Sequence, residues 1–285
     1  MSDTGMSRAT VAVVQMDCKT LDKSANLQKV REMLKVAGGG KRALDLVVLA
    51  EGFSTGFSLG EEFYSVAESI PGPTTEAMGE MARWLGAYMV VSLVEIGPKE
   101  GIIYNSAVLL DRQGKEAGRY RKMHLPSAGV SGQKRFFTRG HGYPVFETDF
   151  GKLGITICYD RTFPEVMRTM RLQGAQVLVN VNAITTPAAF WWHPFFRSRA
   201  IENQAYVVAA NRAGPAEGNP GVSYYGHSLV ADFKGGIISE AGDGDQIIFA
   251  EMDMEKLEAQ RAAAPYLMDR RPDTYSLLVA ESARS

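Results

Sequence analysis

In the stretch GITICYDRTFPE (154–165) an alternating apolar run stops at Cys158, and Pro164-Glu165 opens a new element. The pattern predicts a strand that delivers a thiol to its C-terminal end, just before a helix N-terminus. α/β folds place chemistry there, and a helix dipole would lower the thiol pKa toward the reactive thiolate. A single cysteine is more often a small hydrophobe filling a core. Two other strand ends weigh against that bland reading. VVLAEGFSTGF (47–57) puts Glu51 where its apolar run stops, and GRYRKMHLP (118–126) ends its strand on Lys122. A carboxylate or ammonium at such a place is costly alone, so each is expected to have a partner. Together the three types make a sensible set: the glutamate takes the thiol proton, the cysteine attacks, and the lysine meets negative charge developing on a substrate.

The elements that must carry these residues read as strands alternating with helices. TVAVVQM (10–16) is a Val-rich strand, and SANLQKVREMLKVAGGG (24–40) a helix with Leu27, Val30 and Leu34 on one face. Ser24 is its expected N-cap and the glycines from Gly38 its stop. LDLVVLA (44–50) is nearly all apolar, as a strand buried on both faces must be. A helix over 74–88, a strand over 89–96 and a hairpin over 104–125 with its turn at Asp111–Gly114 complete the first half. A loop punctuated by glycine follows, and the pattern recurs. There is a strand to Cys158, a helix from Pro164 to Gly174, and a strand ending in NVNA (180–183). A helix over 195–206, a strand over 207–214, a hairpin about Lys234–Gly236, a strand over 245–253 and a helix over 254–264 close it. No linker rich in Pro, Ser or charge divides the halves. The expectation is a single domain over 1–285, with a globule over about 8–265 and a C-terminal tail over 266–285.

Composition narrows the partners. The formal net charge is −1 and the hydrophobic content 45%, with a pI near 6.5. Neither supports binding to nucleic acid or to an anionic membrane surface. No apolar run is long enough to span a bilayer. The start of the chain lacks a basic-then-apolar leader pattern, so Cys18 and Cys158 are expected as a reduced pair in the cytoplasm.

The motifs that carry Glu51, Lys122 and Cys158 resemble those of the nitrilase superfamily of carbon–nitrogen hydrolases. VVQMD (13–17), RSRAIENQAYVVAANRAG (197–214), GHSLVADFKGGII (226–238) and RRPDTY (270–275) agree as well, in the family's order and over almost the whole chain. The resemblance implies a four-layer α-β-β-α sandwich of two similar halves, pairing into a homodimer with the tail as a candidate contact. It implies hydrolysis of a small-molecule amide or carbamoyl C–N bond with no metal or cofactor. Glu51 would be the base, Cys158 the nucleophile, and Lys122 with the backbone N–H of Tyr159 the oxyanion donors. Nitrile hydrolysis and a catalytically silent binding member remain alternatives, as does a redox-sensing thiol that would need Cys18 as its resolving partner.

Two departures stand out. Ala50 precedes Glu51 where the family more often has proline. In QKRFFTRG (133–140), Gln133 stands where many members carry a second glutamate, and no Asp or Glu occurs from Lys122 to Phe146. The neutral amide is expected beside the Lys122 ammonium. For the substrate, Cys158-Tyr159-Asp160 resembles the amidase and carbamoyl-hydrolase branches. Arg161 falls where N-carbamoyl amino acid hydrolases bind a substrate carboxylate, although pairing with Asp160 or Glu165 explains an arginine there equally well. Asn182 and Ala183, at the end of the NVNA strand, are further substrate-binding candidates, and the aromatic run FWWHPFF (190–196) is core or pocket wall. The four histidines show no metal-ligand spacing. Arg119 and Arg121 read as a solvated strand face.

Overall fold

A computed structural model describes residues 8–38, 43–57, 60–127 and 132–280. The strands are β1 (Arg8–Gln15), β2 (Leu46–Leu49), β3 (Tyr88–Ile96), β4 (Ile103–Leu110), β5 (Glu116–Arg121), β6 (Val145–Thr148), β7 (Gly151–Ile157), β8 (Val177–Asn182), β9 (Tyr206–Asn211), β10 (Leu229–Ala231), β11 (Ile237–Glu240) and β12 (Gln246–Asp253). The helices are α1 (Lys23–Gly38), α2 (Glu62–Val66), α3 (Pro73–Leu85), α4 (Pro164–Leu172), α5 (Trp192–Asn203) and α6 (Met254–Ala263). Of the glycine run read as a stop for α1, residues 39 and 40 lie outside the described residues.

The strands form two six-stranded sheets, ordered β12-β1-β2-β3-β4-β5 and β11-β10-β9-β8-β7-β6. Their pairing patterns are the same. In each, three parallel strands (β1-β2-β3, β7-β8-β9) carry one antiparallel strand on the first edge and two on the other. The expectation of two similar halves is met strand for strand.

Alternation along the strands builds the layers. Val11, Val13, Leu46, Val48, Val90, Ala107 and Leu109 join the core shared with Leu153, Ile155, Val177 and Val179 of the other sheet. Their neighbours Ala12, Val14, Val47, Leu49, Met89, Val91, Val108 and Leu110 pack instead on Leu27, Val30 and Leu34 of α1 and on Met78, Met81 and Ala82 of α3. Both faces of the first sheet are covered, which is why Leu46–Leu49 had to be apolar throughout. On the second sheet, Met167 and Met170 of α4 and Phe196 and Ala200 of α5 supply the outer layer. A Cβ on Gly154 would lie 2.7 Å from the Met170 sulfur, so glycine is required for α4 to settle on β7. The architecture is a four-layer α-β-β-α sandwich. None of the helices among the described residues is long and apolar enough to cross a membrane.

α2 and β6 had no counterpart in the sequence reading. The first is only five residues long, and the second is an edge strand of four residues, none of them buried. The supposed solvated strand face is also different. Arg119 and Arg121 are half-buried around Glu95, a carboxylate that is itself buried. It accepts from Arg119 Nη1 at 2.7 Å, Arg121 Nε at 2.9 Å and Ser106 Oγ at 2.6 Å.

Candidate active site

The three strand ends meet where the two sheets face each other. Glu51 follows β2 in a tight turn. Its N–H donates to Asn182 O, at the end of β8, at 3.2 Å, so one sheet's acid is fixed by the other sheet's strand. Gly52 continues the turn at φ 68°. A Cβ there would come within 2.9 Å of Gly56 O and of the Phe57 side chain, so glycine after Glu51 is a steric requirement. Lys122 follows β5, its N–H bonded to Asn105 O at 2.9 Å and its carbonyl accepting from Gly140 N at 3.0 Å. Asn105 lies on β4, two residues before Ala107, and shares that residue's inward face. Ser106 and Arg121 point to the opposite face, toward Glu95. The alternation that sends Arg121 outward therefore sends Lys122 inward.

Both charged groups are removed from water, at 0% and 1% exposure for Glu51 and Lys122. Lys122 Nζ donates to Glu51 Oε1 at 2.8 Å, and Asn105 Nδ2 donates to the same oxygen at 2.7 Å. Lys122 also stands 5.9 Å from the centre of the Phe57 ring. Each charge thus has the partner the sequence demanded. Glu51 Oε2 is buried and carries no hydrogen bond among the described residues.

Cys158 is half-buried and sits at φ 46°, in the left-handed region. For a residue with a Cβ that conformation costs of order 1 kcal/mol or more, and strain of this kind collects at functional turns. Asp160 holds it. This fully buried carboxylate accepts from Ile157 N at 3.0 Å, Tyr120 OH at 2.7 Å, His124 N at 3.1 Å and His124 Nδ1 at 2.9 Å. Tyr120 and His124 flank Lys122 in sequence, so one carboxylate ties the lysine's chain to the cysteine's turn.

The helix begins at Pro164 as expected (α4), but a five-residue 3₁₀ turn, Cys158–Thr162, stands between it and the end of β7. So short a turn aligns few peptide dipoles, and the lowered thiol pKa expected from a helix end is not found. Burial pushes the Cys158 thiol up, and the charge on Glu51 adds to it. Lys122, Arg161 and the backbone N–H of Ala183 pull the other way without reversing the direction.

The remaining candidates divide. The Ala183 N–H acts to lower the Cys158 thiol pKa. Arg161 Nη1 lies 3.6 Å from Cys158 Sγ. Tyr159 turns its ring onto Phe163, and as the second residue of the turn its N–H has no acceptor within it. Asn182 does not present its amide outward, because Nδ2 is engaged by Asn180 O at 2.8 Å and Ala210 O at 3.1 Å. It braces Glu51 through its backbone. Gln133 is buried, but its Oε1 accepts from Asn105 Nδ2 at 3.3 Å, so it reaches the ion pair through Asn105 and not, as expected, through Lys122. In the aromatic run, Trp192 and Phe196 are core, Phe190 and Trp191 are exposed, and the Phe195 ring lies 5.7 Å from the Arg161 guanidinium. Asn105 and Asp160 are the members that sequence reasoning missed. The available signal was a polar residue inside an apolar strand and an acid inside the cysteine turn. Among the described residues no group of three or more His, Cys, Asp or Glu is arranged to hold a metal ion.

Comparison with known proteins shows the family. Residues 10–262 match the family model for carbon-nitrogen hydrolases. The omega-amidase NIT3 of Saccharomyces cerevisiae is 33% identical over 277 residues, spanning 93% of this chain and 94% of the relative. An N-carbamoylputrescine amidase of Solanum lycopersicum is 33% identical over 286 residues, spanning 95% and 94%. The crystal structure of Saccharomyces cerevisiae Nit3, a member of branch 10 of the nitrilase superfamily, superposes with a TM-score of 0.82 at 31% identity, covering 93% of this chain and 97% of that one. With the match running over nearly the full length in sequence and in structure, the chain belongs to the carbon–nitrogen hydrolases of the nitrilase superfamily.

Proposed function

We propose that this carbon–nitrogen hydrolase cleaves an amide or N-carbamoyl group on a small carboxylate-bearing substrate, through a thioester on Cys158. One observation carries the reading. Glu51 is pinned on Oε1 by Lys122 and Asn105 while its buried Oε2 is without a partner among the described residues, and Arg161 Nη1 lies 3.6 Å from the Cys158 sulfur. That arrangement suits a base waiting for one proton and a sulfur ready to lose it.

The steps follow from the atoms available. Glu51 takes the thiol proton and Sγ bonds to the carbonyl carbon. The resulting oxyanion is met by Lys122 Nζ and the Tyr159 N–H. The C–N bond breaks as Glu51 returns its proton to the departing nitrogen, which leaves as ammonia or an amine. Glu51 then takes a proton from water. The hydroxide adds to the thioester, the C–S bond breaks, and the proton returns to sulfur. Lys122 keeps Glu51 in its charged form at the start of each half-reaction. Asp160, Asn105 and Asn182 act by holding these groups in place.

The carboxylate preference rests on Arg161, a buried guanidinium at the nucleophile with a free Nε. The relatives named as omega-amidase and N-carbamoylputrescine amidase support an amide or carbamoyl substrate. The test is ammonia release from a panel of ω-amides of dicarboxylic acids, N-carbamoyl amino acids, their neutral analogues and simple nitriles. The reading expects kcat/KM to be highest for the carboxylate-bearing amides or carbamoyl compounds. Equal rates on neutral analogues would remove the carboxylate claim, and turnover of nitriles alone would replace the reaction. The same proposal includes a cytoplasmic homodimer, because Leu172, Ile201, Met268, Leu277 and Val279 are large apolar side chains left exposed. Sedimentation at micromolar concentration should give a dimer, and a monomer would refute that part.

A further inference from the structure

Arg161 is a buried cation without a carboxylate. It is 7% exposed, and its Nε is buried with no hydrogen-bond partner among the described residues. The acids that could have paired with it do not. Asp160 spends its oxygens on Tyr120, His124 and the Ile157 N–H, and no ion pair joins Arg161 to Glu165 among the described residues. The residue is not loose. The backbone carbonyl of Arg161 is held by Arg199 Nε at 3.1 Å and Nη2 at 3.0 Å, and its guanidinium lies over Phe195. Among the described residues the one hydrogen bond of the guanidinium is Nη1 to Cys158 Sγ at 3.6 Å.

A charge count around the sulfur gives this contact its meaning. Lys122 and Glu51 neutralise each other at 2.8 Å. With a neutral thiol, the site then keeps one uncompensated positive charge, on Arg161, in surroundings where such a charge is expensive. Moving the proton from Cys158 to Glu51 keeps the site's net charge the same, but it sets the negative charge beside Arg161 and leaves Lys122 as the unpaired cation, free to meet an oxyanion. We infer that Arg161 is a catalytic residue of the first step, and that its guanidinium is the counter-ion of the Cys158 thiolate that forms as Glu51 takes the proton. The proton passes from Sγ to Glu51 Oε2, and the charge left on sulfur is taken up by Nη1 of Arg161. No other bond forms or breaks in this step. The fork of Nε and Nη2 stays available for a second anion, so holding the sulfur and anchoring a substrate carboxylate are compatible uses of one guanidinium. The inference rests on the proposed nucleophile but not on the proposed substrate.

The test reads the sulfur directly. Iodoacetamide is uncharged, so its rate of reaction with Cys158 tracks the thiolate and not carboxylate anchoring. The rate is followed against pH by peptide mass spectrometry in the wild type, Arg161→Gln and Arg161→Lys. Losing the counter-ion should move the alkylation midpoint of Arg161→Gln up by about one pH unit or more, with about a tenfold slower reaction at neutral pH. Arg161→Lys should recover part of that shift. If Arg161→Gln fails to fold, the decision passes to Arg161→Lys and to the ultraviolet thiolate signal of the wild type measured against Cys158→Ser. An unchanged midpoint in a folded variant overturns the inference. If carboxylate preference falls while the midpoint stays, Arg161 is a substrate anchor only and the proposed function survives. If full alkylation of Cys158 leaves hydrolysis intact, the nucleophile itself is wrong and the inference falls with it.

Discussion

The buried ion pair between Glu51 and Lys122 makes a prediction whose size can be worked out. Across 2.8 Å, with an effective dielectric constant of about 20, Coulomb attraction is roughly 6 kcal/mol. Much of that offsets the desolvation of two groups with almost no exposure. Replacing Lys122 by Met leaves the Glu51 charge buried with only Asn105 as donor. Such a loss costs about 3–5 kcal/mol, or a fall in Tm of roughly 6–20 °C for a chain of this size. Glu51→Gln alone strands the ammonium in the same way. The double variant Glu51→Gln/Lys122→Met removes both charges and keeps the Asn105 hydrogen bond, so it should return to within about 1–2 kcal/mol of the wild type. All three proteins should be inactive. The assay is thermal unfolding by circular dichroism at one fixed protein concentration, with ammonia release measured beside it. Strictly additive losses in the double variant, or a Lys122→Met protein as stable as the wild type, would refute the claim that the two groups hold each other.

Other consequences are as sharp. Asp160→Ala leaves the N–H groups of Ile157 and His124 and the Tyr120 hydroxyl without their acceptor, so denaturant unfolding should show a loss of roughly 3 kcal/mol or more. A loss below about 1 kcal/mol would mean the cysteine turn is held elsewhere. Gln133→Glu places a carboxylate on Asn105, beside the ion pair. It should raise the Cys158 thiol further, seen as a higher midpoint for alkylation, while hydrolysis persists; an unmoved midpoint would show that Gln133 is not coupled to the sulfur. For Glu95, burial pushes the carboxyl up, but Arg121, Ser106 and Arg119 outweigh it and hold the pKa below its ordinary 4.5. A depressed pKa in the folded state stabilises above the ordinary value and is lost as pH falls through the folded one. Unfolding free energy should therefore drop below about pH 4.5, and Glu95→Gln should flatten that drop.

The strand ends were legible because their signal is local. A run such as LVVLAE must be buried on both faces to be so apolar, and a charge at its end has no reason to be there unless the fold gives it a partner. Alternation also placed Lys122 and Arg121 on opposite faces, although it did not say that Arg121 had Glu95 waiting on its side. What stayed hidden depends on contacts between distant segments. Asp160 sits beside Arg161 in the chain, yet its partners are Tyr120 and His124, 36 to 40 positions away. Nothing in the cysteine turn itself announces them. Asn105 looked like one polar residue in a hairpin, and only the close approach of β2's end makes it a ligand of Glu51. The resemblance puts Gln133 beside Lys122, while the geometry of β4 puts Asn105 between Gln133 and the ion pair. The helix dipole fails for a different reason: α4 starts at Pro164 as the sequence predicts, but a 3₁₀ turn anchored by Asp160 separates it from Cys158.

The central claim is a covalent intermediate on Cys158, and intact-protein mass spectrometry after rapid acid quenching tests it most directly. Enzyme mixed with excess amide substrate should gain the mass of the acyl group, that is, substrate minus ammonia or amine. Peptide mapping should place the adduct on Cys158, and Cys158→Ala should show neither adduct nor turnover. Hydrolysis that continues in Cys158→Ala, or an adduct that maps to another residue while turnover proceeds, would contradict the account.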